Sequence, residues 1–412
     1  MIIKRDYYLN RLIAAKHSDL IKVVTGLRRC GKSFLLFQLF HTHLLEAGVN
    51  PEHIIEISLD DFRNEDLRNP RNLLEYVDRR ISDQQQYYLI LDEVQLLDRF
   101  ADVLNSFMHM PNVDVYVTGS NSRFLSSDVA TEFRGRGMNI HLYPLSFAEL
   151  YAAKGGNREA LWTDYYKYGG LPSVWESNTP ENRMDYLRSL CDTVYIRDIV
   201  ERHELRNTEE FAELMRVLAS GIGSPVNPSK LSNTFRSVKN VTISDKTISK
   251  YLTYLQWAFM IDEVRRYDIK GKRYIGMLSK YYFQDIGLRN ALLDFRQNEE
   301  NHIMENVIYN DLRARGFRVD VGTVSVRSAT ATKQLEVDFV ANKSDRRYYL
   351  QSAFAIPDDA KREQESASLK RIDDSFKKII VVRNDIAPYH DTNGFLNIGL
   401  MDFLLSPDAI DW

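Results

Sequence analysis

The sequence predicts an α/β protein, with a parallel sheet covered by helices on both faces, then a helical and winged-helix region, then a second α/β domain. Three observations carry this reading. Short apolar runs alternate with helical periodicities over the first third of the chain. A glycine-containing octapeptide, Gly26-Leu27-Arg28-Arg29-Cys30-Gly31-Lys32-Ser33, lies between one such run and one such helix. The last region reads helix, strand, strand, strand, helix, strand. Strands alternating with helices pair in parallel through right-handed crossovers, and ligands bind such sheets at the C-terminal strand ends.

The length of 412 residues predicts two to four domains. A hydrophobic content of 44% is enough to bury several cores. The net charge of -3 excludes a globally basic nucleic-acid binder but not a local basic patch. Cys30 and Cys191, the two cysteines, make no metal pattern, and a disulfide would tie up a residue of the glycine loop, so a reducing cytoplasm is expected. The first residues lack the apolar core of a signal peptide. No apolar run approaches the roughly 18 residues of a membrane span.

Taken in order, residues 7–16 read as a short helix. Ile21-Lys22-Val23-Val24 is a buried strand, and Phe34, Leu35, Leu36, Phe37, Leu39 and Phe40 crowd the faces of a following helix. Between them the octapeptide has the form G-x-x-x-x-G-K-[ST], the Walker A phosphate-binding loop or P-loop. Its glycines let main-chain N–H groups close around an oxyanion. The helix N-terminus adds about half a positive charge. The expected binding set runs from Gly26 to Phe34, with Lys32 reaching the β- and γ-phosphates and the Ser33 hydroxyl ligating Mg²⁺.

Gly48 stops that helix, residues 53–59 form a second strand, and 72–81 a helix with Leu73, Leu74, Val77 and Ile81 on one side. Tyr87-Tyr88-Leu89-Ile90-Leu91 is a strand running into Asp92-Glu93. A carboxylate at the end of a neighbouring parallel strand holds Mg²⁺ beside Ser33, and this is assigned to Asp92. Glu93 is assigned to orient and polarise the attacking water. The same residues, taken alone, suit a strand ending in a helix cap.

After a helix at about 99–109, the strand Val113–Val117 ends in Thr118-Gly119-Ser120-Asn121-Ser122. Asn121 or Ser120 is expected to sense the γ-phosphate or the water, turn chemistry being the alternative. Arg134 and Arg136 are expected to offer positive charge to the transferring phosphoryl group, in cis or to a neighbouring subunit, against the alternative of a solvated loop. A strand at 138–142 and a capping box, Ser146 with Glu149, close this part. The catalytic set is therefore Lys32, Glu93, Asn121, Arg134 and Arg136, and the metal set Ser33 and Asp92.

These motifs, together with Pro144-Leu145-Ser146-Phe147-x-Glu149, resemble a prokaryotic AAA-type P-loop ATPase family whose members carry a C-terminal domain of unknown function. The resemblance spans the whole chain. It implies ATP and Mg²⁺ as ligand and cofactor and ATP hydrolysis as the activity, with Lys32 and Ser33 as nucleotide and metal contacts and Asp92-Glu93 as the metal and water-activating pair.

Beyond about 155, Gly169-Gly170-Leu171-Pro172 is a turn, and helices at about 181–205 and 208–220 form a lid or connector. Arg197 suits either a nucleotide sensor or an ion pair within its helix. Residues 226–290 have a winged-helix pattern, with a helix capped by Ser244 and two strands joined at a basic tip. Lys246 and Lys250 on the helix and Lys270, Lys272 and Arg273 on the wing suit DNA; protein packing suits the same pattern.

The closing order resembles the PD-(D/E)XK nuclease fold, which needs a helix carboxylate, a strand Asp and then Glu-x-Lys. Glu305 and Asp338 match, but Gln351-Ser352-Ala353 stands at the third element, so an inactive domain is expected, with Lys361 or Lys370 the candidates to replace the lost lysine. The expected domains are 1–155 (ATPase), 156–225 (helical lid), 226–295 (winged helix) and 296–412 (nuclease-like). Expected partners are ATP, DNA through the winged helix, and a protein partner or second copy.

Overall fold

The apolar runs at 21–25, 87–92 and 113–119 become strands buried on both faces, as the centre of a parallel sheet between helices requires. A computed structural model describes residues 3–119, 133, 135–238, 243–297, 299–327 and 332–412. The chain divides into two units, Met1–Pro144 with Trp257–Phe259, and Leu145–Gln256 with Met260–Trp412.

The first unit contains strands β1 (Ile21–Thr25), β2 (Ile54–Ser58), β3 (Tyr87–Asp92), β4 (Val113–Gly119) and β5 (Gly137–His141). They pair in parallel in the order β2-β3-β4-β1-β5. Every residue of β1, β3 and β4 is buried. Val23, Leu89, Leu91, Val115 and Val117 pack with Leu73 and Val77 of the helix Pro70–Arg80 and with Val103, Leu104 and Phe107 of the helix Phe100–Phe107. The register pairs Ser58 with Asp92, Leu91 with Val117 and Thr25 with Gly119, so the C-terminal ends of four strands lie side by side. After the loop the helix starts as Lys32–Phe34, passes through a π-helical stretch, Leu35–Phe40, and ends as His41–Glu46.

One charged residue lies inside this sheet. Lys22 is fully buried on β1, and its ammonium is held by Asp114 and by the Ser18 carbonyl at 3.2 Å. Asp114 also accepts from the Tyr116 hydroxyl at 2.8 Å and the His17 amide at 3.0 Å. A buried charge persists only when paired and hydrogen-bonded in this way.

The second unit opens with the helix Phe147–Lys154, closed at its start by the reciprocal Ser146–Glu149 capping box that the sequence predicts. The Gly169-Gly170 turn is a packing joint. The Asp285 carboxylate accepts from the Gly170 amide at 2.7 Å and the Leu288 amide at 3.0 Å, and a Cβ on Gly169 would lie 2.4 Å from Asp285 Oδ1. Burial pushes the Asp285 carboxyl up to about 6 against these hydrogen bonds. The helix expected at 181–205 runs as Pro180–Ser189, a π-helical stretch Leu190–Ile196 and Arg197–Arg202.

Strands β6 (Ile261–Asp268), β7 (Arg273–Phe283), β8 (Arg318–Arg327), β9 (Thr332–Lys343), β10 (Arg346–Ala353), β11 (Lys377–Val382), β12 (Tyr389–His390) and β13 (Leu396–Gly399) form one mixed sheet, ordered β12-β13-β11-β10-β9-β8-β6-β7. The hairpin of the winged-helix reading is thus part of the sheet that the expected 296–412 domain forms. β6 and β7 do form the expected antiparallel pair, but β6 also pairs in parallel with β8, at Arg266 with Val321. Ile269, at the hairpin tip, packs with Val324 and Val337. A two-stranded ribbon is marginal in water, and pairing with a larger sheet satisfies its open edge. Among the described residues, no helix is long and apolar enough to cross a membrane.

Candidate functional site

The phosphate loop leaves the end of β1 through two glycines in conformations that other residues avoid. Gly26 has φ 150° and Gly31 φ 102°. A Cβ on Gly26 would lie 2.2 Å from the Leu142 carbonyl oxygen, so only glycine admits that close approach. Leu27 and Cys30 are buried, which makes their contribution to a ligand a main-chain one, while Arg28, Arg29 and Phe34 are exposed. Burial pushes the Cys30 thiol up, so it sits in the loop as a neutral packing group. Lys32 is buried, and its ammonium donates to the Gly26 carbonyl at 3.1 Å and the Leu27 carbonyl at 3.2 Å.

Around it the strand ends supply the rest. The Ser33 hydroxyl donates to Asp92 Oδ2 at 2.7 Å. The other Asp92 oxygen accepts from the Thr118 hydroxyl. Burial raises the Asp92 pKa, the two hydroxyls oppose that rise, and the charges of Glu93 and Asp60 add to it. Glu93 adopts a left-handed backbone, φ 52°, uncommon for a residue with a side chain. Its amide donates to Thr118 Oγ1 at 2.9 Å, and its carboxylate accepts from the Gln95 side-chain amide. Thr118 thus holds both carboxylate positions at once. Strain of this kind collects at functional sites, where the surroundings over-determine it.

Lys32, Ser33, Asp92 and Glu93 stand together at one sheet edge. Thr118 and Gln95 belong to the same site and were passed over; the signal for Thr118 is its place at the end of β4, one residue beyond the Leu91–Val117 pair. Ser120, Asn121 and Arg134 lie outside the described residues. Arg136 is a correction. Its carbonyl accepts from the Ile21 amide at 2.7 Å, at the start of β1, whereas the phosphate loop follows the end of that strand. A residue that precedes a parallel strand lies at the N-terminal sheet edge, so Arg136 does not reach this site in cis. Arg197 pairs with Glu201 in its own helix at 2.6 Å.

In the second unit, Glu305 and Asp338 do come together, but around a residue that the sequence reading did not name. Lys280 on β7 reaches Glu305 at 2.9 Å and Glu336 at 2.7 Å, and the Tyr282 hydroxyl donates to Glu305 at 2.5 Å. Burial and the neighbouring charge of Glu305 hold the Asp338 pKa well above the usual carboxylate range. What faces Asp338 from β10 is the Ser352 amide at 2.8 Å. Lys361 and Lys370 are engaged by Glu365 and Glu363 instead, which corrects their reading as replacement lysines. Among the described residues, no three carboxylate, thiol or imidazole side chains are arranged to hold a metal ion. On the hairpin, Lys270 pairs with Asp373 at 3.2 Å and Arg273 approaches Asp268 at 4.0 Å, so part of the basic tip is neutralised.

A parallel sheet with a glycine loop, a lysine and a serine after β1, and a carboxylate closing β3 one strand beyond the neighbouring β4, defines the P-loop NTPase fold. Residues 18–151 match an AAA domain, and residues 159–299 match a domain of unknown function (DUF8612). An uncharacterised protein of Haemophilus influenzae is 34% identical over 386 residues, which are 92% of this chain and 93% of that protein. The uncharacterised protein MJ1544 of Methanocaldococcus jannaschii is 28% identical over 418 residues, covering 97% of this chain and 89% of its own. The chain belongs to the AAA-domain family of P-loop ATPase-like proteins, together with its Haemophilus relative. Among solved structures, the Walker-type ATPase PABY2304 of Pyrococcus abyssi is 15% identical, with 71% of this chain and 96% of that one covered and a TM-score of 0.49. The ORC1 protein of Aeropyrum pernix, solved in complex with DNA, is 13% identical, with 71% and 92% covered and a TM-score of 0.31. Neither is similar enough to carry a function to this chain.

Proposed function

We propose that the chain binds ATP with Mg²⁺ on residues 26–34 and hydrolyses it, and that the nucleotide state drives a conformational or assembly change in the rest of the protein. The observation that carries this reading is the shared carboxylate: Asp92 accepts from Ser33 at the loop and from Thr118 at the neighbouring strand, with Glu93 fixed beside it.

The residues fit the group they would hold. Hydroxyl and carboxylate oxygens are the hard donors that magnesium prefers, and Ser33 and Asp92 bring one of each to the loop. When bound, Mg²⁺ neutralises charge on the phosphates. Lys32 exchanges its loop carbonyls for phosphate oxygens. Glu93, oriented by Gln95, accepts a proton from the attacking water, and Thr118 keeps the two carboxylates in register. Glu93 is the general base and Asp92 the metal residue because only Asp92 shares a hydrogen bond with Ser33.

Steady-state phosphate release tests the proposal. Lys32→Ala loses nucleotide binding, and Glu93→Gln loses turnover by about a hundredfold or more, the range of a lost general base. Unchanged turnover in both variants would end it.

A further inference from the structure

Arg5 precedes the first helix, Asp6–Ala14, and is only 3% exposed. A guanidinium with five donors is costly to bury without acceptors. Two of its hydrogen bonds go to main-chain carbonyls from separate places. One nitrogen donates to Cys30 of the phosphate loop at 3.3 Å, and another to Tyr143 at 2.6 Å. The guanidinium lies 4.9 Å from the Tyr8 ring centre, and the Tyr8 hydroxyl accepts from the Tyr143 amide at 3.3 Å.

The same two segments touch again without Arg5. The Cys30 thiol donates to the Leu142 carbonyl at 3.3 Å, the Leu142 amide donates to the Thr25 carbonyl at 2.7 Å, and Gly26 lacks the Cβ that would strike Leu142. Residues 142–144 follow β5 and are the stretch along which the chain leaves the first unit, at Pro144. The loop and this exit stretch are therefore joined at Thr25, Gly26 and Cys30, with Arg5 forking across the outer join. A guanidinium suits this task because its donors diverge in a fixed plane, which an ammonium does not reproduce.

We propose that Arg5 is a positioning residue that ties the phosphate loop, at Cys30, to the exit stretch at Tyr143, so that nucleotide binding at the loop and the geometry of residues 142–144 are coupled. This rests on the nucleotide reading above. A loop that rearranges around a ligand must move the Cys30 carbonyl, and the fork transmits that displacement to Tyr143. Reciprocally, a pull on the exit stretch changes affinity at the loop, because coupling between two sites is mutual.

The test uses the full chain with Mg²⁺ and a fluorescent ATP analogue, read by equilibrium binding and by hydrogen–deuterium exchange with and without saturating ATP. In wild type, ATP changes protection at both 26–33 and 140–144. Arg5→Met weakens binding by about tenfold or more, the loss typical of a hydrogen bond to a charged group. At saturating ATP it restores protection at 26–33 while 140–144 no longer responds. Arg5→Lys recovers part of the affinity. A role in folding alone would lower the melting temperature yet leave both segments responding at saturation, and that result overturns the proposal. Should Arg5→Met fail to fold, Arg5→Gln takes its place, since its single amide group cannot span the Cys30 and Tyr143 carbonyls; a lost response at 140–144 supports the clamp and a wild-type response overturns it. Lys32→Ala separates the two claims. If it binds the analogue as wild type does, the nucleotide reading fails and the clamp with it. If it loses binding while Arg5→Met responds as wild type, the clamp alone fails.

Discussion

Two groups of carboxylates, one in each unit, differ in what neutralises them. In the first unit Asp92 is held by the hydroxyls of Ser33 and Thr118, which donate hydrogen bonds but bring no charge. In the second unit Glu305 and Glu336 are held by the ammonium of Lys280, which brings a full positive charge. The hydroxyls leave Asp92 without a counter-charge among its hydrogen-bond donors, whereas Lys280 shares one positive charge between two carboxylates. Carboxylates thus meet uncharged hydroxyl donors at the end of β3 in the first unit, and a buried ammonium between the helix Glu300–Ala314 and β9 in the second.

The sharpest way to break this contrast is Lys280→Met. Removing one partner of a buried ion pair strands the other, so the second unit should lose about 3–5 kcal/mol of stability in chemical denaturation. A loss under about 1 kcal/mol would mean that the cluster does not depend on its lysine. The matching change in the first unit is smaller. Thr118→Val keeps the shape but removes the hydroxyl that links Asp92 and Glu93. Hydrolysis should fall by about tenfold, with about 1–3 kcal/mol lost from stability. It should also shift the acid limb of the rate profile upward, because this hydroxyl opposes the rise that burial imposes on Asp92. An unmoved acid limb would remove Asp92 from the rate-determining chemistry.

The smallest effect concerns pH and stability in the second unit. Asp285 and Asp311 are each raised to about 6 by burial. Between the ordinary aspartate value of about 3.9 and that range, the folded chain holds protons that the unfolded chain has released. Their contribution to stability is therefore greatest at low pH and declines as pH rises through about 6. Melting temperatures across that window should show a slope that flattens in Asp285→Asn; an identical slope would assign the protons elsewhere.

How much of this was legible in the sequence follows from how local each signal is. Gly26 to Ser33 is contiguous and needs no partner to be read, and Asp92-Glu93 follows directly from an apolar strand. Thr118 was not legible because its role depends on the β3–β4 register, which no spacing records. Lys280 was hidden for a related reason. It stands 25 residues before Glu305, on a strand whose alternation suits a free wing as well as the edge of a larger sheet. For Arg136 the cis reading fails on strand direction, which places it at the far edge of the sheet and which its charge alone does not record. Residues 21–24 read as a buried strand, but what pairs with Lys22 there is not local: it is Asp114, on a strand 92 residues later.

The central claim is that the first unit hydrolyses the nucleotide that it binds. It is tested most directly on Glu93→Gln, with ATP affinity and single-turnover hydrolysis measured on the same preparation. Affinity should stay within a few-fold of wild type while turnover falls by about a hundredfold or more. Turnover equal to wild type, or a wild-type chain that binds no ATP in the presence of Mg²⁺, would contradict it.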